Sequence, residues 1–198
     1  MSKAEKKKAL LMYAARNCFE KTGYDDVRVE DITERVGVAK GSFYYYFSDK
    51  QDIILTIMEE EVADYVARLT KIVDNADDGI IGLTLMLKMM FSANAENFPT
   101  TGYFADGTPG WFHSQFDECR NRHMLPLCRD LAWRCVTEKL VRVPHVEMIG
   151  ELLYLGCAGW MHLYYPKMKD PVFAKEALGG MEVYFNRVLD PVRKIELM

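Results

Sequence analysis

The chain has no glycine-rich phosphate loop, no serine in a nucleophile elbow and no Cys-x-x-Cys pair, so nucleotide, acyl-transfer and dithiol chemistry have no motif to stand on. It also lacks an apolar run fit for a bilayer. The most apolar stretch, Ile80 to Phe91, is interrupted by Lys88 and falls short of the roughly 20 residues a spanning helix needs. No apolar core or cleavage site follows Lys3, Lys6, Lys7 and Lys8, so a secretory signal is not expected. Cysteine is sparse and odd in number: Cys18, Cys119, Cys128, Cys135 and Cys157 fall in apolar helical patterns, as reduced thiols do. These absences predict a soluble cytoplasmic protein with no membrane contact, no cofactor and no resident metal.

What is present is a chain of 198 residues, 49% hydrophobic, enough for one or two units with real cores. Its net charge of −4 is unevenly spread. Residues 1–50 carry 10 basic and 8 acidic side chains and the remainder 15 and 21, which describes a basic head on an acidic body.

The most informative stretch runs from Val29 to Phe47. Ile32 and Val36 lie four apart on one helical face, Gly37 supplies a permissive turn, and Phe43 and Phe47 repeat the spacing on a second short helix. Lys40, Ser42, Tyr44, Tyr45 and Tyr46 are left largely outward. Three consecutive tyrosines cannot all face a core. Beside lysine and serine they make a set of donors and stacking groups for a polyanion.

The ordered run Phe19-Glu20-Lys21-Thr22-Gly23-Tyr24, then Ile32 through Phe47, then Lys50, resembles the DNA-binding domain of the TetR family of bacterial transcriptional regulators. The resemblance covers about Lys8 to Met58, a quarter of the chain. It implies an all-α protein with an N-terminal three-helix helix-turn-helix DNA-binding domain at residues 1–50 and a C-terminal helical effector-binding and dimerisation domain at 51–198. It further implies a homodimeric repressor on double-stranded palindromic operator DNA, released by a small-molecule effector. The residues this places on DNA are Arg28, Lys40, Gly41, Ser42, Tyr44, Tyr45, Tyr46 and Lys50. Lys40 and Ser42 reach base acceptors or phosphates, the tyrosines bond phosphates or pack on thymine methyls, and Gly41 lets the nucleic acid approach the backbone. Lys50 stands at a helix N-terminus, where a cation needs an anion opposite, and a DNA phosphate is that anion. The chain departs from the family pattern at Val29, often threonine, and at Ala39, often serine. Both departures remove hydroxyls used for capping or phosphate contact.

Periodicity and punctuation lay out the rest. Lys3 to Thr22 reads as a helix with Leu11, Ala14, Ala15, Cys18 and Phe19 on one stripe, Val29 to Val36 as a second, and Ala39 to Tyr46 as the recognition helix. A capping box from Ser48 to Gln51 is expected to open a fourth helix of about 25 residues. Ile80 to Asn97 reads as a buried helix, and 98–110 as a Gly- and Pro-rich loop over part of a cavity. Trp111 to Val141 reads as a helix broken or bent near Pro126. Two more follow, one from Pro144 and one opened by Asp170-Pro171 and interrupted or bent at Gly179-Gly180. By resemblance, these last two form the dimer interface.

Met86, Met90, Phe104, Trp111, Trp133, Trp160 and His162 are the expected effector contacts, since methionines and flat aromatics suit an apolar or planar molecule. A second reading takes His113, Cys119, His123, Cys128 and Cys135 as a redox or metal sensor on the same scaffold. Against it stands the usual burial of free cysteine in plain core. A third, of a different class, is a helical enzyme with a docking N-terminal domain.

Overall fold

The computed structural model describes residues 2–92, 97–104 and 107–198, apart from the side chains of Glu147, Tyr165 and Pro166. Its helices are α1 (Lys3–Thr22), α2 (Val29–Val36), α3 (Lys40–Tyr44), α4 (Lys50–Asp74), α5 (Gly79–Ser92), α6 (Gly110–Thr137), α7 (Val146–Tyr164) and α8 (Pro171–Leu189), with short 3-10 turns at Pro99–Gly102 and Tyr165–Lys169. Among the described residues, the β-type pairing found is an isolated bridge between Val141 and Pro191. The fold is all-α, as expected.

Local chemistry sets the helix ends. Ser2 caps α1 in a reciprocal box: its hydroxyl accepts from Glu5 N at 3.1 Å, and the Glu5 carboxylate accepts from Ser2 N at 2.7 Å. α2 carries Glu30 and Asp31 in its first turn, where the helix dipole favours negative charge. It ends at Gly37, whose φ of 71° lies in the left-handed region that glycine enters without a Cβ clash. α3 is shorter than expected. After Tyr44 the chain tightens, with Tyr46 N donating to Phe43 O at 2.9 Å, a three-residue spacing.

The cap of α4 also differs from expectation. Asp49 Oδ1 accepts from Asp52 N at 2.8 Å, and the Asp52 carboxylate reaches back to Ser48 N at 2.8 Å. Two carboxylates outcompete the Ser48 hydroxyl and the Gln51 amide for these donors, so the cap moves one residue on. α6 runs through Pro126 and α8 through Gly179 and Gly180 without interruption. Asp170 and Pro171 open α8 as expected, with Asp170 Oδ1 accepting from Val172 N at 2.9 Å. Of the helix expected through Asn97, residues 93–96 lie outside the described residues.

The chain packs as two units, Met1–Tyr65 with Asn94–Arg120, and Val66–Ala93 with Asn121–Met198. A cut after residue 50 therefore does not follow the packing. The first unit needs the start of α4, because Ile53, Ile54 and Ile57 are fully buried. It also needs the segment before α6. The Arg16 guanidinium donates to Glu61 at 2.7 Å, and Glu61 Oε2 accepts from Thr100 Oγ1 at 2.7 Å and from Thr100 N at 3.2 Å. Among the described residues, 98–104 form a short 3-10 turn with buried aromatic rings rather than an open loop. Phe98 packs on Tyr65 and Phe116, Tyr103 on Phe19, and Phe104 on Tyr24, Trp111 and Phe112, all with ring centroids within 6.0 Å. Aromatic burial, more than glycine and proline content, decides where this stretch lies.

In the second unit Ile80, Leu87, Cys135, Phe185 and Leu189 form the core. A Cβ at Gly79 would fall 2.7 Å from Cys135 Sγ, and one at Gly150 would fall 2.9 Å from Ala132 Cβ, so α5 and α7 press on α6 where they have no side chain. Beyond α8 the chain folds back and buries Ile195 and Leu197. Asn186 serves as a surrogate strand partner, donating to Ile195 O at 3.0 Å and accepting from Ile195 N at 2.9 Å.

Burial holds the Glu61 carboxyl above its ordinary value despite the Thr100 and Arg16 bonds that oppose the shift. An acid raised in the folded state takes up a proton on folding between its ordinary and its folded value. Its contribution to stability therefore grows as pH falls through that window and is absent above it. Glu61→Gln removes this titration. The thermal midpoint of the wild type minus that of the variant is expected to become more positive on acidification from neutrality, and a difference that shrinks would overturn the assignment.

Candidate nucleic-acid interface

The outward face of α3 is aimed from beneath. Ile32 and Phe43 are fully buried, Phe47 nearly so, and the two phenylalanine rings meet at 5.5 Å. Val38 N donates to Thr33 O at 3.0 Å across the Gly37 turn, which sets the angle between α2 and α3. Above this core stand Lys40, Gly41, Tyr44 and Tyr45, all exposed, with Ser42 and Tyr46 half-buried. Tyr45 is 77% exposed and Tyr44 49%, too wet for core aromatics. A Cβ on Gly41 would meet nothing within 4 Å, so its surface is open.

The charged residues are less free than their positions implied. Lys40 donates to the Glu30 carboxylate and lies 5.9 Å from the Tyr44 ring centroid. This pairing lowers the Glu30 pKa and raises that of Lys40. Arg28 N donates to Asp31 Oδ2 at 2.7 Å, and its guanidinium lies 3.4 Å from Oδ1, which lowers the Asp31 pKa. Lys50 donates to Tyr24 O at 2.6 Å and to Asp25 O at 3.0 Å, with its ammonium 4.4 Å from the Tyr24 ring. Carbonyl oxygens of the α1–α2 loop thus supply the negative partners expected of a phosphate, and burial lowers the Lys50 pKa.

Two further cations lie beside this face. Lys7 Nζ donates to Ser42 Oγ at 3.3 Å, and Lys8 Nζ lies 5.5 Å from the Phe47 ring centroid. The signal was the lysine cluster ahead of Leu11, which nothing in the sequence ties to α3.

The expected effector contacts are divided between the two units. The second unit encloses an apolar cavity of about 30 Å³, lined among others by Met86, Cys128, Leu131, Gly150, Tyr154 and Phe185. Met86 is the expected contact that lines it, while Met90 is half-buried against the core. Phe104 and Trp111 pack with Tyr24 and Phe112 in the first unit. Trp133 is 48% exposed, His162 is exposed, and Trp160 stacks on Tyr164 at 4.9 Å and on Phe173 at 6.1 Å. Residue type marked these side chains as large and apolar, which does not place them around one space.

The thiol reading is not favoured either. His113 and Cys119 fall in one unit, His123, Cys128 and Cys135 in the other. Burial pushes the Cys128 and Cys157 thiols up to about 12 and Cys135 to about 11, so they stay protonated and poorly reactive. Among the described residues no helix is long and apolar enough to cross a membrane.

Residues 11–57 match the family model described as bacterial regulatory proteins, tetR family. The HTH-type transcriptional repressor AcnR of Corynebacterium diphtheriae is 31% identical over 192 residues, which cover 93% of this chain and 88% of that protein. A TetR-family transcriptional regulator from Pectobacterium atrosepticum superposes with a TM-score of 0.72 at 18% identity, covering 98% of this chain and all of the other. The regulator FadR from Bacillus subtilis, solved in complex with stearoyl-CoA, does so with a TM-score of 0.57 at 16% identity over 82% of this chain and 89% of its own. The two solved structures share the fold. With its head matched by the family model and a relative matched along nearly all its length, the chain belongs to the TetR family and is a DNA-binding transcriptional regulator.

Proposed function

We propose that the chain is a homodimeric repressor whose α3 faces read successive major grooves of a palindromic operator, and which an apolar effector releases. One observation carries the reading: exposed Tyr44 and Tyr45 stand beside Lys40 and Ser42 over a buried Phe43–Phe47 base. Lys40 and Ser42 contact base edges, Tyr44, Tyr45 and Tyr46 contact phosphates or thymine methyls, and Gly41 admits the backbone closely. Arg28 meets a phosphate at the start of α2, and Lys50 keeps one N–H for a phosphate while two hold the α1–α2 loop. The repressing sense is supported by the name of the Corynebacterium diphtheriae relative.

A dimer is supported by the outward faces of α7 and α8. Met148, Leu152, Leu155 and Leu163 are exposed at helical spacing on α7, and Gly156 and Gly159 between them have open space where a Cβ would stand. On α8, Val172, Val183 and Tyr184 are exposed as well. Such a stripe suits a two-fold partner, which a palindromic site requires. The effector enters the α5–α8 unit. Its cavity holds on the order of one water as it stands. An effector therefore binds a minor, opened state and shifts the population towards it. The stearoyl-CoA held by the FadR structure supports an apolar chain as its chemistry.

Selection of bound fragments from the host genome yields the operator, on which the assignment is tested by titration at fixed salt. Tyr44→Ala and Tyr45→Ala are each expected to lower operator affinity by about 1–3 kcal/mol with the thermal midpoint preserved. Phe43→Ala is expected to destabilise the fold by about 3–5 kcal/mol. Unchanged binding by both tyrosine variants would remove α3 from the contact. Leu152→Glu with Leu155→Glu is expected to give a helical monomer by sedimentation and circular dichroism. A variant that stays dimeric places the interface elsewhere.

A further inference from the structure

Two of the cations beside the reading helix are engaged by the first turn of α2. Arg28 is held by Asp31, and Lys40, the first residue of α3, is held by Glu30. The Lys40–Glu30 pair lies open, with side chains 52% and 45% exposed, on the face where a phosphate must approach. Lys7 and Lys8, by contrast, rest on a hydroxyl and an aromatic ring, and neither has a carboxylate partner among the described residues.

We propose that Glu30 is a specificity-determining residue: its carboxylate occupies Lys40 in the free protein as a phosphate would, and so suppresses binding to DNA of arbitrary sequence. The inference rests on the α3 reading face. Binding to arbitrary sequence draws its free energy from cations that neutralise phosphates and release counterions. When Lys40 moves from Glu30 to a phosphate, the carboxylate is left uncompensated beside the DNA, and the pair as a whole adds no charge to the interface. Lys40 therefore gives nothing to arbitrary DNA. At the operator the same ammonium meets guanine N7 and O6, acceptors that discriminate between base pairs, and this gain offsets the broken pair. Exposed ion pairs are weak, so the rivalry biases a loose encounter without blocking a specific one.

The test is a double-mutant cycle on the full chain, with Glu30→Gln, Lys40→Gln and both together, titrated against a short mixed-sequence duplex and against the selected operator over a range of salt. Glu30→Gln is expected to bind the mixed-sequence duplex about fivefold more tightly per reading head. Its slope of log K against log salt should steepen by about 1 per head. Both gains should vanish in the double variant. No gain in Glu30→Gln overturns the proposal, and so does an equal gain with Lys40 already removed, since Glu30 would then only repel phosphates. Lys40→Gln is expected to weaken operator binding. If it does not, the reading face itself is misassigned, an outcome separate from a failure of the Glu30 arm.

Discussion

A helix of five residues has no stability of its own, so the direction in which α3 points depends on the burial of Phe43 and Phe47. Nucleating a helical turn is unfavourable, and the single turn from Lys40 to Tyr44 persists because one of its side chains is fully enclosed. Everything the outer face presents follows from that enclosure. Tyr44 rests its edge on Phe43 at 5.5 Å, Lys40 lies over Tyr44, and Ser42 is held by Lys7. The Gly37 turn and its Val38–Thr33 bond fix the remaining angle to α2.

Phe43 and Phe47 in turn need a core larger than three short helices supply. The first unit gathers it from segments remote in sequence, the first turns of α4 and, among the described residues, 97–104 and 107–120. Glu61 is the polar centre of this assembly. It joins α1 through Arg16 and the Pro99–Gly102 turn through Thr100, and it does so while buried. A carboxylate in such a place is tolerable only because Arg16 and Thr100 both donate to it. The aromatic cluster of Tyr24, Phe104, Trp111 and Phe112 closes the same unit. Lys50 closes it too, by capping the loop that carries Tyr24.

How much of this was legible in the sequence varied with the range of the interactions involved. α1 and α2 were legible to the residue because a single apolar stripe and the chemistry of their ends determine them within a few positions. The buried base of Ile32, Phe43 and Phe47 and the outward Tyr44 and Tyr45 were legible for the same reason, whereas Val36, expected in the base, and Tyr46, expected outward, are both half-buried. The α4 cap was misread by one residue because Ser48, Asp49, Gln51 and Asp52 compete for the same donors, and only the geometry shows that the two carboxylates prevail. Partners brought together over long sequence separations were not legible: Lys50 with Tyr24 and Asp25, Lys7 with Ser42, and the 98–104 segment with α1 and α6. The expected effector contacts are spread over both units for a related reason. Composition identifies large apolar side chains, but Trp160 stacks on Tyr164 and Phe173, and Trp133 faces solvent.

The size of the cavity constrains any effector mechanism. α5 and α7 approach α6 so closely at Gly79 and Gly150 that a single methyl group would collide with Cys135 or Ala132. An apolar molecule larger than a water enters the cavity beside Gly150 only if the contact of α7 with α6 parts, which forfeits dispersion along both helices. Its binding free energy is therefore divided between the separation of the helices and the affinity that is observed. The shift it imposes on the regulator equals its differential affinity for the open and closed states and no more. Glycine at these two positions keeps α5 and α7 tightly packed on α6, and a ligand of the proposed kind would have to fill the space it opens.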